Sequence, residues 1–450
     1  MTRHTATTSF RLVPLMLALG ASVSFSVQAQ SLVDLYNAAQ GYDATYQSAK
    51  SQYDASLAKA AQAKALLLPT AGLTISTTQT NQDIKAPAIA ANNFTYQTDT
   101  GTVGVSQPLY RPANWATYEQ GKKQVDLAQA TLLAADQDLI IRVSQAYFDV
   151  LAATDSLAFV KSQKSAVGEQ LSSAKRNFEV GTSTITDSRE AQARYDLVIA
   201  QELAAENDLL VKILALNQLV GQPNVKPKPL KAPVVLGPIE PADVNQWVMQ
   251  SEANNPGVKL QQVALEVAEL ETEKAKAGHK PTLDLTGSYT SVANRNGSAS
   301  GPTVDSRANV SNIGLTLTLP LFAGFSTQNR IKETLSLEDK ARSDLESTKR
   351  TIAQGTRTAY YGVQSGQAQV LALQAAEASS QSALEANQLG YQVGVRINID
   401  VLNAQSQLFD TKAKLAKARY DVLVGGLKLR QAAGTLKAQD LQPVNNQLTQ

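Results

Sequence analysis

Few side chains in this 450-residue chain carry the chemistry of a catalyst. His279 is the single histidine after the first 29 residues, and it lies between Gly278 and Lys280. That is the context of a surface turn, a poor place to align a Ser-His-Asp triad. Cysteine is absent, which removes disulfides, thiol chemistry and lipidation at a cysteine. No His/Cys cluster has the spacing of a zinc site, and no glycine-rich loop ends in Lys-Ser/Thr to cradle a nucleotide phosphate. The expectation is therefore no metal, no cofactor and no enzyme. Two carboxylates do stand out by position. Asp187 and Asp400 each sit at the head of a long stretch of helical character, where an Asp caps free backbone N–H groups. Glu190, three residues after Asp187, completes the pattern of a capping box. Arg396 shows no evident partner on its own helix. The remaining carboxylates are scattered among Lys and Arg, the pattern of solvated faces.

The elements that hold these side chains are large. Arg3 and Arg11 precede an uncharged stretch from Leu12 to about Val27, and Val27-Gln28-Ala29 places small residues where a signal peptidase reads. Residues 1–29 thus read as a secretory signal peptide with cleavage before Gln30. The competing reading, a membrane anchor, needs ~20 apolar residues, more than are present. Without residues 1–29 the chain carries 39 basic against 39 acidic residues. That leaves no basic field for nucleic acid. No later apolar run is long enough for a transmembrane helix, so a membrane crossing would have to use strands closed into a barrel.

The chain repeats itself. A shift of 212 residues brings Pro69-Thr70 onto Pro281-Thr282, Leu73-Thr74 onto Leu285-Thr286, and Pro108-Leu109-Tyr110 onto Pro320-Leu321-Phe322. One further residue of shift brings Val180-Gly181 onto Val393-Gly394, Asp187 onto Asp400, and Gly221 onto Gly434. This is a duplication. The first copy spans 30–222 and the second 242–435, with a linker at 223–241 that holds six prolines. Residues 436–450 read as a polar, loosely held tail.

Each copy has the same order. A helix of ~30 residues (about 31–64 and 242–277) leads into two strand-like segments, then into a very long proline-free span. Gly181 and Gly394 break each span into two antiparallel arms. The first arm alone would be ~100 Å long at ~1.5 Å per residue, so the arms must project. Val401, Leu408, Leu415, Val422 and Leu429 recur every seven residues, followed three positions on by Ala404, Thr411, Ala418, Gly425 and Ala432. That heptad implies left-handed packing with close backbone approach; an ordinary two-stranded coiled coil shares the pattern. The strands alternate: Leu73 and Ile75 against Thr74 and Ser76; Leu283 and Leu285 against Asp284 and Thr286; Ile313, Leu315 and Leu317 against Asn312, Thr316 and Thr318. A transmembrane barrel has this signature, and so does a soluble amphipathic sheet. The segment Phe94–Gln107 fits least, because Asp99 shares the parity of Val103 and Val105. Residues 81–93 and 294–309 read as solvated loops.

Four strands cannot close a barrel. Eight would leave an interior only wide enough for side chains, whereas twelve from three subunits leave a lumen. The fold class expected is thus mainly α with a β-barrel part. Duplicated helical hairpins build a trimeric α-barrel, and four strands per subunit complete a 12-stranded transmembrane barrel.

At this point the chain resembles the TolC-type outer-membrane efflux proteins, over essentially all of 30–435. The resemblance rests on the duplicated order, the Pro-Leu-aromatic junctions, Phe178-Glu179-Val180-Gly181 beside Tyr391-Gln392-Val393-Gly394, and the run from Gly394 to Asn403. It implies a homotrimer in outer-membrane lipid, with a periplasmic tunnel docked on an adaptor protein. It also implies an inner-membrane RND, ABC or MFS transporter that delivers drugs, small molecules or secreted polypeptides. Carried over by position, Thr186, Asp187, Tyr391 and Arg396 would link the helices of a closed periplasmic entrance, and Asp400 would form an acidic ring. The family often has a second Asp one turn later. Asn403 stands there instead, which implies weaker block by multivalent cations, reversed by Asn403→Asp. Helix capping remains the competing role for Asp187 and Asp400. Tyr110 and Phe322, after Pro108 and Pro320, read either as membrane-interface aromatics or as junction packing. A periplasmic coiled-coil adaptor is the alternative function; it would need neither barrel-length strands nor a duplication.

Overall fold

The computed structural model describes residues 30–449 apart from 87, 88, 232, 235, 299, 300 and 303, so the expected leader over 1–29 lies outside the described residues. The first copy runs α1 (Leu32–Tyr42), α2 (Ala44–Ala65), β1 (Thr70–Ala86), β2 (Ile89–Tyr110), α3 (Pro112–Glu179) and α4 (Ile185–Val220). The second runs α5 (Val244–Asn254), α6 (Pro256–Lys276), β3 (Thr282–Arg295), β4 (Gly297–Ser298), β5 (Gly301–Pro302), β6 (Ser306–Thr318), α7 (Ser326–Gln392) and α8 (Asn398–Ala432). A short α9 (Leu441–Asn445) ends the chain.

The leading helix of each copy is broken in two, against the expectation of one continuous helix. Asp43 is extended and accepts the Tyr46 N–H at 2.8 Å, which caps α2. Arg142 of α3 grips the same carboxylate through two nitrogens at 2.8 and 2.9 Å. In the second copy the break falls at Asn255, where the following Pro256 excludes the helical conformation. Asn255 then caps α6 by accepting the Gly257 N–H at 2.8 Å.

The arms are also unequal. α3 and α7 have 68 and 67 residues, α4 and α8 only 36 and 35. α2 and α6 complete the wall beyond them. At Gly121 of α3, a Cβ would lie 2.9 Å from Ala63 of α2, so the two helices touch nearly backbone to backbone. On α8 the heptad positions Val401, Leu408, Leu415, Val422 and Leu429 are all buried. A Cβ on Gly366 of α7 would meet Val422 at 2.9 Å, so this seam leaves no room for a side chain at that position. A second face of α8 carries Leu402 against Val167, Leu171 and Ala174 of α3 and Ala191 and Val198 of α4. The largest core forms where α1, α3, α4 and the chain's end meet, around Leu32, Leu139, Ile140, Tyr147, Phe148 and Leu216. Leu436, Leu441 and Leu448 are buried in it, and Leu448 bridges Leu230 of the linker. The tail is therefore packed, not loosely held; its spaced leucines supply apolar area that outweighs its polar composition.

The sheet order is β1-β2-β3-β6, antiparallel throughout. β1 and β6 are the edges. The first hairpin extends through the segment expected to be a loop, with pairing as far as Ala86↔Ile89. Backbone ladders need no apolar side chains, so polar residues beyond a lipid band still pair. Register places Leu73, Val103 and Tyr289 in one row, Leu285 and Leu315 in another, and Leu283 and Leu317 in a third, all on one face. That face is open: Ile75 is 77% and Ile313 87% exposed. The Asp99 anomaly resolves in this register. Its row, Thr77–Asp99–Ala293–Arg307, lies beyond the apolar rows. There Asp99 accepts hydrogen bonds from Thr77 and Gln97, each at 2.9 Å, and pairs with Arg295 at 3.2 Å. Thr and Asn fill most of the opposite face, bonded across strands as Thr102–Thr290 at 3.0 Å and Thr98–Asn294 at 2.8 Å.

Candidate functional site: the hairpin tips and the barrel junctions

The two hairpin tips are built alike. Residues 180–184 join α3 to α4, and 393–397 join α7 to α8. Gly181 and Gly394 both have φ +79°, a left-handed conformation that costs an L-residue ~1–2 kcal/mol. Each closes its helix with a Schellman pair. Thr182 N–H donates to Asn177 C=O at 2.8 Å and Gly181 N–H to Phe178 C=O at 3.0 Å; Val395 donates to Gly390 at 2.9 Å and Gly394 to Tyr391 at 3.2 Å.

Neither aspartate is the N-cap expected of it. Thr184 caps α4, accepting the Asp187 N–H at 3.2 Å. Asp187 is the reciprocal member of that capping box, its carboxylate accepting from the Thr184 N–H at 3.1 Å, the Thr184 hydroxyl at 2.8 Å and the Ser183 hydroxyl at 2.7 Å. The helix starts a turn earlier than the Asp-Glu spacing suggested, so Glu190 is no part of the box. Burial works against the Asp187 charge, but these three donors prevail and hold its carboxyl below the usual range. Ile397 precedes α8 without a side-chain cap, and Asp400 sits in the first turn. Arg396 does have a partner after all: Asp400, four residues on, at 3.7 Å.

Within one chain, three side chains of the second hairpin bond to the first. The Tyr391 hydroxyl accepts from Asn177 of α3 at 3.3 Å. Asn403 accepts from Arg194 of α4 at 2.6 Å. Thr186 is exposed on the first turn of α4. The central link is Asn398, which is fully buried. Its amide oxygen accepts from Gln170 of α3, and its NH₂ donates to the Asp187 backbone carbonyl of α4 at 3.3 Å. Reading from the sequence missed Asn177, Gln170, Arg194 and Asn398. One signal was available, since Asn398 is a polar residue set between Ile397 and Ile399 at the start of a packed helix.

The two strand-to-helix junctions have diverged. In the first, Pro108 lies within β2 opposite Asp284, a bulge separates it from Tyr110, and Arg111 precedes Pro112 at the start of α3. In the second, β6 ends at Thr318, and Pro320 and Phe322 lie in irregular chain before α7. Phe322 is exposed and meets Phe325 edge-on at 5.4 Å, with Phe325 at φ +64°. Tyr110 is about half exposed. Among the described residues no group of three or more His, Cys, Asp or Glu could hold a metal ion, and no helix is long and apolar enough to cross a membrane.

A family model for outer membrane efflux proteins matches residues 18–222 and 247–435. The chain belongs to the outer membrane efflux protein family. Outer membrane protein TolC of Vibrio cholerae is 34% identical over 439 residues, covering 97% of this chain and 98% of that protein. Alkaline protease secretion protein AprF of Pseudomonas aeruginosa is 29% identical over 421 residues, covering 92% and 87%. The fold matches a crystal structure of CusC with a TM-score of 0.79 at 18% identity, over 90% of this chain and 92% of that one. Within this family the hairpin tips and the sheet of the present chain are the two ends of one extended, outer-membrane-located molecule.

Proposed function

We propose that three copies of this chain form a passive conduit across the outer membrane and on into the periplasm. The observation that carries this reading is the sheet. It has four strands, an exposed apolar face, a face of hydroxyls and amides, and two edge strands whose outer sides pair with no other strand among the described residues. In lipid an unpaired edge leaves backbone N–H and C=O groups without partners. β1 of one subunit beside β6 of the next satisfies both edges, and three subunits give a twelve-stranded barrel with a lumen. The helices support the same closure. α4 exposes Leu203, Leu210 and Leu214, and α7 exposes Leu371 and Leu389, apolar stripes that neighbouring subunits would cover.

In this reading a periplasmic adaptor and an inner-membrane RND, ABC or MFS transporter deliver the cargo. The cargo is drugs, other small molecules or secreted proteins such as the protease named for the Pseudomonas relative. The tips form the periplasmic entrance. Opening it parts the α3/α4 hairpin from α7/α8, so the Asn398, Tyr391 and Arg194 links must break. Asn398→Ala and Tyr391→Phe, which each remove a link between the hairpins, are expected to raise single-channel conductance without loss of the trimer. Unchanged conductance in both would remove these links from the gate. Arg396→Ala, whose partner Asp400 lies in the same hairpin, is expected to act only if Arg396 also bonds a neighbouring subunit. Asn403→Asp gains less cation block than its sequence position implied, because Arg194 lies 2.6 Å from Asn403 and would neutralise the new carboxylate. The block should appear only with Arg194→Gln added.

A periplasmic adaptor does not account for a sheet with its apolar side outward. Cell fractionation with unheated SDS electrophoresis separates the two. The conduit reading expects a heat-modifiable oligomer in outer membranes; a monomer in the soluble periplasmic fraction would contradict it.

A further inference from the structure

The hydroxyl face of the sheet holds one Asp, Glu, Lys, Arg or His among the described residues of the four strands, and that one is already paired. Thr74, Thr102, Thr290 and Asn312 are typical of the face. Asp284 is the exception, in register with Pro108 of β2 and Thr316 of β6 at the end nearest the helices. Arg111, between β2 and α3, donates Nε to one carboxylate oxygen and Nη2 to the other, each at 2.7 Å. Two parallel bonds fix the guanidinium on the carboxylate in one geometry. The duplication did not produce this pair. The 212-residue shift puts Gly72 where Asp284 stands and Ala323 where Arg111 stands. Each subunit therefore brings one pair, all at the same level.

We infer that Arg111 and Asp284 form an electroneutral collar at the base of the barrel, which keeps the barrel from sorting cargo by charge. The inference rests on the sheet being one third of a closed barrel. A ring of three bare carboxylates at that level would make a cation-selective constriction. Its field would reach across much of the lumen, since screening at 0.1 M salt acts over ~10 Å. Pairing turns each charge into a local dipole whose field dies within a few ångströms. Charge discrimination is left to the helical tips, and the exit passes anionic, cationic and neutral molecules alike.

The test is the reversal potential of the purified full-length protein in planar bilayers, under a KCl gradient kept at or below ~0.1 M, where charges act over ~10 Å or more. Asp284→Asn unmasks the arginines and is expected to shift the potential toward anion selectivity. Arg111→Gln unmasks the carboxylates and is expected to shift it toward cations. The double variant, neutral again, is expected to return to the wild-type value. A purely structural role predicts changes in stability and none in reversal potential. Conducting single variants with an unmoved potential, or shifts of the same sign, would overturn the collar. If either single variant fails to assemble, Thr316→Asp leaves the pair intact and adds a charge beside it. A shift toward cations then supports the inference, and no shift overturns it. Absence of conductance in the wild-type protein would instead defeat the pore reading itself.

Discussion

At the residue scale, the structure replaces isolated capping aspartates with shared carboxylates. Asp43 caps α2 and holds Arg142 at once, so Asp43→Ala is expected to cost ~1–3 kcal/mol, a lost cap plus the lost charged hydrogen bonds from Arg142. Hydrogen bonds from Arg142 are the main reason the Asp43 carboxyl lies below its ordinary range, against burial, with help from the Tyr46 N–H. The sign of the pH dependence follows. As pH falls, the unfolded chain takes up this proton before the folded one does. The contribution is complete above the ordinary Asp value of about 4 and is lost below it as the folded carboxyl titrates. Thermal melts from pH 6 down to pH 3 should show an acid-side loss of stability that Asp43→Asn reduces. At the tips, Thr184→Ala is expected to cost ~1 kcal/mol, read as faster hydrogen exchange in the first turn of α4. These partnerships were only half legible. An Asp followed three residues later by Glu looks like a box. Which Thr or Asp is the cap depends on where the chain turns, and Gly181 with its left-handed φ decides that. Asn398 was harder to see, because its partners Gln170 and Asp187 are more than 200 residues away and only packing brings them together.

At the element scale, periodicity was a good guide wherever burial is one-sided. The seven-residue series from Val401 to Leu429 is buried throughout, and the alternation in β1, β3 and β6 resolves into two distinct faces. The guide failed where backbone chemistry outranks side-chain pattern. Asn255-Pro256 breaks a helix whose apolar spacing continues across the break, and the β1–β2 ladder runs on through a polar stretch. Adjacent residues of β6 test the face assignment. Ile313→Arg places a charge in the lipid-facing band and is expected to cost ~2–4 kcal/mol, read as loss of folded protein in refolding into lipid vesicles. Asn312→Arg, one residue away on the lumen face, is expected to insert nearly as well as wild type. Equal loss for both would mean that the two faces do not see different solvents. The close helix seams give a parallel contrast. Gly121→Leu forces α2 off α3 and is expected to lower the melting temperature, whereas Gly41→Ala, with open space around its Cα, is expected to leave it unchanged or higher.

At the scale of the whole molecule, one subunit is an incomplete object. It exposes apolar rows on its sheet, leucine stripes on α4 and α7, and two strand edges, more than a lone chain in water can leave uncovered. Threefold association would cover the stripes, pair the edges and enclose the hydroxyl face, while lipid covers the apolar rows. The duplication supplies the near-repetition such a wall needs. Its local departures, the Arg111–Asp284 pair and the Arg194–Asn403 link, each join a residue of the first copy to one of the second. The most direct test of this account is to reconstitute the purified protein, free of partners, in planar lipid bilayers and record current. The account predicts discrete conductance steps from a species that migrates as an SDS-resistant trimer. A monodisperse monomer that inserts without passing current would contradict it.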